Sequence, residues 1–206
     1  MTEILKPEID LDGGWELLME KYKLNTVMSE IRIQVIWRRM KACAGPVVWY
    51  ELQEEKREVL AAATLGSGID RLQEEWVLHG QLLDTYASDC LAMEALLCLY
   101  RVLEAELQKK GYYINQYIFE EGSEPGQLLE HLQADIHLSA EGMMQPLKSV
   151  AYRGILTKEA GRKCTAVCYS CRRGDCSHRQ PLHMGNYREP GVLKYSYGYQ
   201  LSLIHI

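Results

Sequence analysis

The chain has no apolar run approaching the ~20 residues that a bilayer span requires. Its opening, Met1-Thr-Glu-Ile-Leu-Lys-Pro-Glu8, has neither the basic nor the apolar stretch of a secretory signal. A cytoplasmic protein with no membrane partner is the expectation. A basic surplus is missing too: the formal net charge is -5 over 206 residues, which argues against a general nucleic-acid binder, whose counterion-releasing contacts need a broad cationic surface. The six histidines show no paired spacing for a hydrolytic metal centre, and no serine sits in a nucleophile-elbow context. Gly66-Ser-Gly68 lacks the longer glycine pattern and the lysine of a nucleotide loop, so it reads as a plain turn. Hydrolase chemistry therefore has no footing, and no residue is assigned a catalytic role.

What the chain does have is thiols in one place. Cys164-Thr-Ala-Val-Cys168-Tyr-Ser-Cys171-Arg-Arg-Gly-Asp-Cys176 packs four of the seven cysteines into thirteen residues. In a reducing compartment such a comb is more often a metal or redox site than a set of structural disulfides. Four sulfurs on a short irregular segment can close around one centre, and Arg162, Lys163, Arg172, Arg173 and Arg179 would offset the thiolate charge. The spacing suits a 4Fe-4S cubane. Zinc is the competing metal, with Cys168-x2-Cys171 as a half-site and His178 able to replace one cysteine; unmetallated thiols are the third reading. The first three cysteines share the spacing of radical S-adenosylmethionine enzymes, yet a fourth cysteine leaves no open iron position and the strand-helix repeat of that barrel is absent. Cys43, Cys90 and Cys98 lie in apolar helical patterns and read as small core residues.

The periodicities predict α+β architecture: long helices around a twisted antiparallel or mixed sheet, with a Cys-rich appendage after it. A short amphipathic helix is expected over 14–22 and a longer one over 27–43, burying Met28, Ile31, Val35, Ile36 and Met40 and ending at Ala44-Gly45-Pro46. Strands follow at 46–50 and 57–64, then a helix from Ser67 or Gly68 to about His79. The long helix 81–110 is the expected spine, with Leu82, Leu83, Tyr86, Cys90, Met93, Leu96, Leu97, Tyr100, Leu103 and Leu107 at helical spacing. Gly111 stops it before a strand at 112–119, a loop at 120–126 and a brief helix at 127–133. Met143-Met144, read as core, and 148–155 form a further strand pair around Pro146. Asp84 and Glu94, ten residues apart, point to different helix faces and read as solvated or capping groups. The domain reading is 1–160, a metal-binding segment 161–180 and an irregular tail 181–206, whose last run, Leu201-Ser-Leu-Ile-His-Ile206, resembles a translated sequencing adapter.

Four stretches, in this order and spacing, carry a resemblance over about residues 45–180. They are Ala62-Ala-Thr64-Leu-Gly66-Ser-Gly68-Ile-Asp70; Leu83-Asp84-Thr-Tyr86-Ala-Ser88 followed by Glu94; Met143-Met144-Gln-Pro146-Leu-Lys148-Ser149-Val150; and the comb ending at Arg179. Together they resemble stand-alone proteins of the cobalamin-dependent methionine synthase activation domain family. The resemblance implies a C-shaped α+β domain that returns oxidised cob(II)alamin to service by coupling one-electron reduction to methyl transfer from S-adenosylmethionine. The domain's part in that chemistry is positioning.

It also implies partners: the cobalamin-binding domain of methionine synthase or another corrinoid protein, and a flavodoxin- or ferredoxin-type electron donor. Glu94, Glu120, Gly122, Pro146, Lys148 and Ser149 are the implied cofactor-binding residues, and Cys164, Cys168, Cys171 and Cys176 the metal ligands. The family's methyl-donor loop has an arginine followed shortly by Pro-Gly-Tyr. Here Tyr117-Ile-Phe-Glu120-Glu121-Gly122-Ser-Glu-Pro125-Gly126 has no arginine and no tyrosine after either glycine. The carboxylate of S-adenosylmethionine loses its cation and meets two glutamates instead. Either the donor is held differently or this branch has another task, such as electron delivery.

Overall fold

The computed structural model describes residues 1–11, 14–119, 124–164 and 167–170. It is an α+β protein built on one antiparallel sheet. The hairpin β2 (Val47–Gln53) and β3 (Glu58–Thr64) turns through Glu54–Arg57, where Arg57 takes φ 54°. A three-residue strand, β1 (Glu3–Leu5), pairs with the outer edge of β2, which the sequence patterns did not foretell. The sheet order is β1-β2-β3-β7-β4, with β4 (Tyr113–Ile118) at the far edge and β7 (Ser149–Thr157) between it and β3. All of its pairings are antiparallel.

Side-chain alternation along the strands divides the core in two. Val48, Tyr50, Ala61, Ala63 and Tyr152 face the helices α1 (Trp15–Lys21), α2 (Glu30–Cys43), α3 (Ser67–Leu78) and α4 (Leu82–Lys109). Trp49, Ala62 and Ala151, cross-strand neighbours on the opposite face, meet Leu128 and Leu129 of α5 (Glu124–His131) together with Leu132 and Ile136. Gly154 is required for the tight centre of the sheet, since a Cβ there would stand 2.8 Å from the Val59 side chain. α4 is the spine: 28 residues, about 42 Å long at helical rise. Its first turn departs from the expected stripe, because Leu82, Leu83 and Tyr86 are exposed and burial begins at Asp84, Ala87 and Ser88.

Four further expectations are corrected. The buried stripe of α2 is Ile33, Ile36, Trp37 and Met40, while Ile31 (71% exposed) and Val35 (38%) turn outward. Apolar residues ring most of that helix, and Trp37, the largest of them, fixes which side goes in. β6 (Met144–Gln145) pairs with β5 (His137–Leu138) in a two-stranded ribbon, whereas β7 pairs with β3 and β4. Met143 is 55% exposed and so is no core residue. α5 starts at Glu124, three residues earlier than expected. Among the described residues no helix is long and apolar enough to cross a membrane.

Candidate functional site at the head of α3

β3 hands over to α3 through Leu65-Gly66, and the backbone there is held on all sides. Gly66 adopts φ 81°, ψ 159°, a region that only glycine enters freely. Its N–H donates to Thr64 Oγ1 at 3.0 Å. Gly68 sits so close to the end of α2 that a Cβ would fall 1.9 Å from the Cys43 carbonyl oxygen. Gly45 N–H reaches Leu65 O (2.8 Å), and Leu65 N–H reaches Lys148 O (3.0 Å).

The segment 144–149 lies over this turn. Ser149 Oγ is 2.6 Å from Pro146 O and 2.7 Å from Thr64 Oγ1. A carbonyl only accepts, so Ser149 donates to Pro146 O and Thr64 donates to Ser149. Asp70, in the first turn of α3, accepts the Leu147 N–H through Oδ2 at 2.9 Å, while its Oδ1 is buried with no hydrogen-bond partner among the described residues. Lys148 forms an ion pair with Asp89 of α4, and Gln73 of α3 donates to Ser88 of α4 at 2.9 Å. The peptide bond before Pro146 is cis. Beside this turn lies a cleft of about 470 Å³ whose walls include Lys6, Trp49, Thr64, Arg71, Asp135 and Pro146. Trp49 gives it an aromatic wall, and Lys6 and Arg71 outnumber its one carboxylate, Asp135, so it can receive a flat, anionic group.

Burial is the main cause that pushes the Asp70 carboxyl above its ordinary range, with Glu74 adding to it; the Leu147 N–H, Lys148 and Arg71 pull the other way. A carboxyl raised in the fold binds its proton more readily folded than unfolded, so stability falls as pH rises through the folded value and the loss is complete above it. Asp70→Asn, which keeps an oxygen for Leu147, is therefore expected to be more stable than the wild type at pH 7. The difference should shrink on acidification towards pH 4 (about the ordinary Asp value). Urea midpoints measured across that range check it, and parallel curves would remove Asp70 as the cause.

The residues assigned from sequence divide into three groups. Pro146 lines the cleft with Thr64, Ser149 bonds to both of them, and Lys148 reaches away to Asp89 of α4. Glu94 lies elsewhere. It is five residues beyond Asp89, hence about 140° around α4. It is 4% exposed and receives Lys21 Nζ together with the Tyr22 hydroxyl at 2.6 Å. Asp84 is likewise buried, at 6% exposure, gripped by both Arg32 nitrogens of a bidentate pair. The solvated reading of these two carboxylates is thus overturned. Glu120 and Gly122 lie outside the described residues, as do Cys171, Cys176, His178 and the segment 181–206.

Cys164 and Cys168, the described half of the comb, are half-buried. The segment runs along β4: Cys164 N–H donates to Ile114 O (2.8 Å), and Tyr117 N–H donates to Ser170 Oγ (3.1 Å). Lys163 meets Glu104 at 3.2 Å, and Glu104 also accepts the Tyr117 hydroxyl. Tyr117 packs on Tyr152 and Tyr100 with ring centroids 5.3 and 5.6 Å away. The comb therefore starts stitched to the edge of the sheet. Among the described residues no three His, Cys, Asp or Glu side chains gather as a metal set. Cys90 and Cys98 are core residues as expected, at 0% and 2% exposure. Burial pushes the Cys90 thiol up to about 11, which leaves it un-ionised at neutral pH.

Thr64, Asp70, Asp89, Trp49 and Arg71 were not singled out from sequence as site residues. Thr64 and Asp70 stand inside a quoted stretch, which was the available signal; Asp89, Trp49 and Arg71 reach the site only through the tertiary fold. No protein-family model matches the chain, and no curated protein matches it.

Proposed function

We propose that this chain is an accessory protein for the reductive reactivation of a corrinoid protein, of the methionine synthase activation type. The observation that supports this reading is the meeting of three quoted stretches. Thr64 and Asp70 of the first bond to Ser149 and Leu147 of the third, while Lys148 and Gln73 tie both to α4, which carries the second. Stretches whose bonded residues lie as far as 85 positions apart, yet share one hydrogen-bonded junction, behave as one site rather than as scattered matches. In this reading the cleft beside Pro146, Lys148 and Ser149 receives part of the corrinoid or of the methyl donor, S-adenosylmethionine. Cys164, Cys168, Cys171 and Cys176 would hold an iron-sulfur cluster, which supplies one-electron transfer.

Anaerobic purification followed by iron, sulfide and zinc analysis is the first test. The expectation is about four irons per chain and a broad visible absorbance that bleaches on reduction. Colourless protein with stoichiometric zinc would remove the relay and leave a docking module with a structural knuckle. Cys171→Ser then separates the two: as a cluster ligand it abolishes reduction and spares docking on a cobalamin-loaded methionine synthase domain, and as a zinc ligand it lowers folding stability. Calorimetry with S-adenosylmethionine at millimolar concentration tests the methyl-donor role, which an absence of heat would exclude.

A further inference from the structure

The cleft beside the β3–α3 turn runs against the charge of the chain, whose formal net value is -5. Two other large cavities follow the chain. One, along α5 and β5, has Glu130 and Asp135 in its wall and neither lysine nor arginine. The other, beside residues 7–10, sets Glu8 and Asp10 against Lys41. In the cleft the sign reverses, with Lys6 and Arg71 against Asp135. Its volume of about 470 Å³ lies within the ordinary range for small-molecule sites, about 300–1,000 Å³.

The fold brings the two cations in from different directions. Ile4 of β1 pairs with Trp49 of β2, and side chains two apart on a strand share a face, so Ile4, Val47 and Trp49 come to one side of the sheet. Lys6, two residues past Ile4, lines the same cleft. Arg71 arrives on α3, one turn after Ser67, whose Oγ accepts a guanidinium N–H at 2.9 Å. Both cations are exposed, whereas Ile4 and Val47 are half-buried and Trp49 is 6% exposed. The cleft is thus charged where it meets water and apolar behind.

Neither cation has an ion-pair partner among the described residues. Lys6 makes no hydrogen bond there, and Arg71 bonds only to the neutral Ser67 hydroxyl. Asp70 lies within electrostatic reach of Arg71, but it is shared with Lys148 and already accepts the Leu147 N–H. Elsewhere Lys21, Arg32, Lys41, Lys110 and Lys148 each meet a carboxylate. Two uncommitted cations on one concave wall raise the local concentration of anions. The start of α3, where Gly66 offers no capping side chain, adds to the same sign.

We propose that this cleft selects a small anion: a carboxylate or phosphate head held by Lys6 and Arg71, on a flat apolar body that lies against Ile4, Val47 and Trp49. It rests on the proposed function only in taking the cleft as a ligand site, and it narrows that function: an anionic part of either ligand belongs here, and the sulfonium of S-adenosylmethionine does not.

Three probes of one shape and three charges test the proposal: benzoate, benzamide and benzamidinium. Each is titrated at millimolar concentration into the full chain and followed by the backbone amide resonances of Gly66, Ser67 and Gly68. Benzoate is expected to shift these amides saturably and to bind about fivefold more tightly than benzamide, with benzamidinium the weakest. Phenyl phosphate should bind at least as tightly as benzoate. Lys6→Gln and Arg71→Gln should each weaken benzoate about threefold, the usual weight of an exposed ion pair, and leave benzamide unchanged. Asp135→Asn should tighten benzoate. All three residues are exposed, so the variants keep the fold. Failure of the proposed function is read separately, from the metal content and reduction of the comb, which these titrations do not touch. The absence of a saturable shift with any probe overturns the proposal, and so does benzoate bound no more tightly than benzamide or undiminished in the double variant Lys6→Gln with Arg71→Gln.

Discussion

Gly68→Ala is expected to destabilise the protein by about 4 kcal/mol, which for a chain of this size lowers the melting temperature by roughly 8–16 °C. The added methyl would stand 1.9 Å from the Cys43 carbonyl oxygen and 2.8 Å from its carbon. Both are backbone atoms at the end of α2, so no side-chain rotation relieves the clash, and α3 must move away from α2 as a body. Neighbouring glycines provide the scale. Gly66→Ala meets the Gly45 backbone at 3.1 Å and must hold φ 81°, so it should cost about 2 kcal/mol. Gly45→Ala meets nothing within 4 Å and should change stability by about 0.5 kcal/mol or less. Thermal melts of the three variants should therefore rank 68, 66, 45 in order of damage. A Gly68→Ala protein as stable as Gly45→Ala would mean that α2 and α3 do not approach as closely as described. The same variant should also disturb the cleft, because Gly68 opens the helix that carries Asp70 and Arg71.

The close approach at Gly68 was invisible in the sequence, where Gly66-Ser-Gly68 read only as a turn. Local signals did carry far along this chain. The expected spine 81–110 is α4 at Leu82–Lys109, and the strand at 57–64 is β3 at Glu58–Thr64. Both have strong periods bounded by glycine or by charge, so neighbouring residues decide them. What failed was whatever depended on the partner. The face of α2 could not be chosen by period, since Ile31 and Val35 compete with Ile33 and Trp37 for the core. The strand near 144 was found, yet its mate is β5, not β7, because pairing is set by what the chain meets after Asp135.

The same division holds at the site. Pro146, Lys148 and Ser149 stood in one quoted stretch and Thr64 and Asp70 in another, but only the fold sets the two side by side. Asp89 was not, since only the fold brings it to Lys148 across 59 residues. Asp84 and Glu94 show the limit most sharply. An amphipathic reading sends carboxylates to water unless their counter-charges are visible, and Arg32 and Lys21 lie 52 and 73 residues away in sequence. Once paired, a carboxylate can be buried without leaving an uncompensated charge.

That pairing predicts an asymmetry at Glu94. Lys21→Met is expected to cost about 3 kcal/mol, whereas Glu94→Gln should cost about 1 kcal/mol. The carboxylate side chain is 5% exposed and has no route to water, so losing the Lys21 counter-charge leaves a desolvated anion within the helical core. The ammonium is in a different position. Lys21 is 27% exposed at the end of α1 and can turn outward on its flexible stem when the carboxylate is neutralised. In Glu94→Gln, Tyr22 can still donate its hydroxyl to the new amide oxygen, which takes the place of the carboxylate oxygen now 2.6 Å away. The double variant Lys21→Met with Glu94→Gln should recover most of the loss, since no charge is then stranded. Urea unfolding of the four proteins of this cycle measures the coupling. Equal costs for the two single variants would show that the pair is solvated and exchangeable. In that case Glu94 would be open to a ligand, and its assignment from sequence as a cofactor-binding residue would regain weight over its role as an internal anchor between α1 and α4.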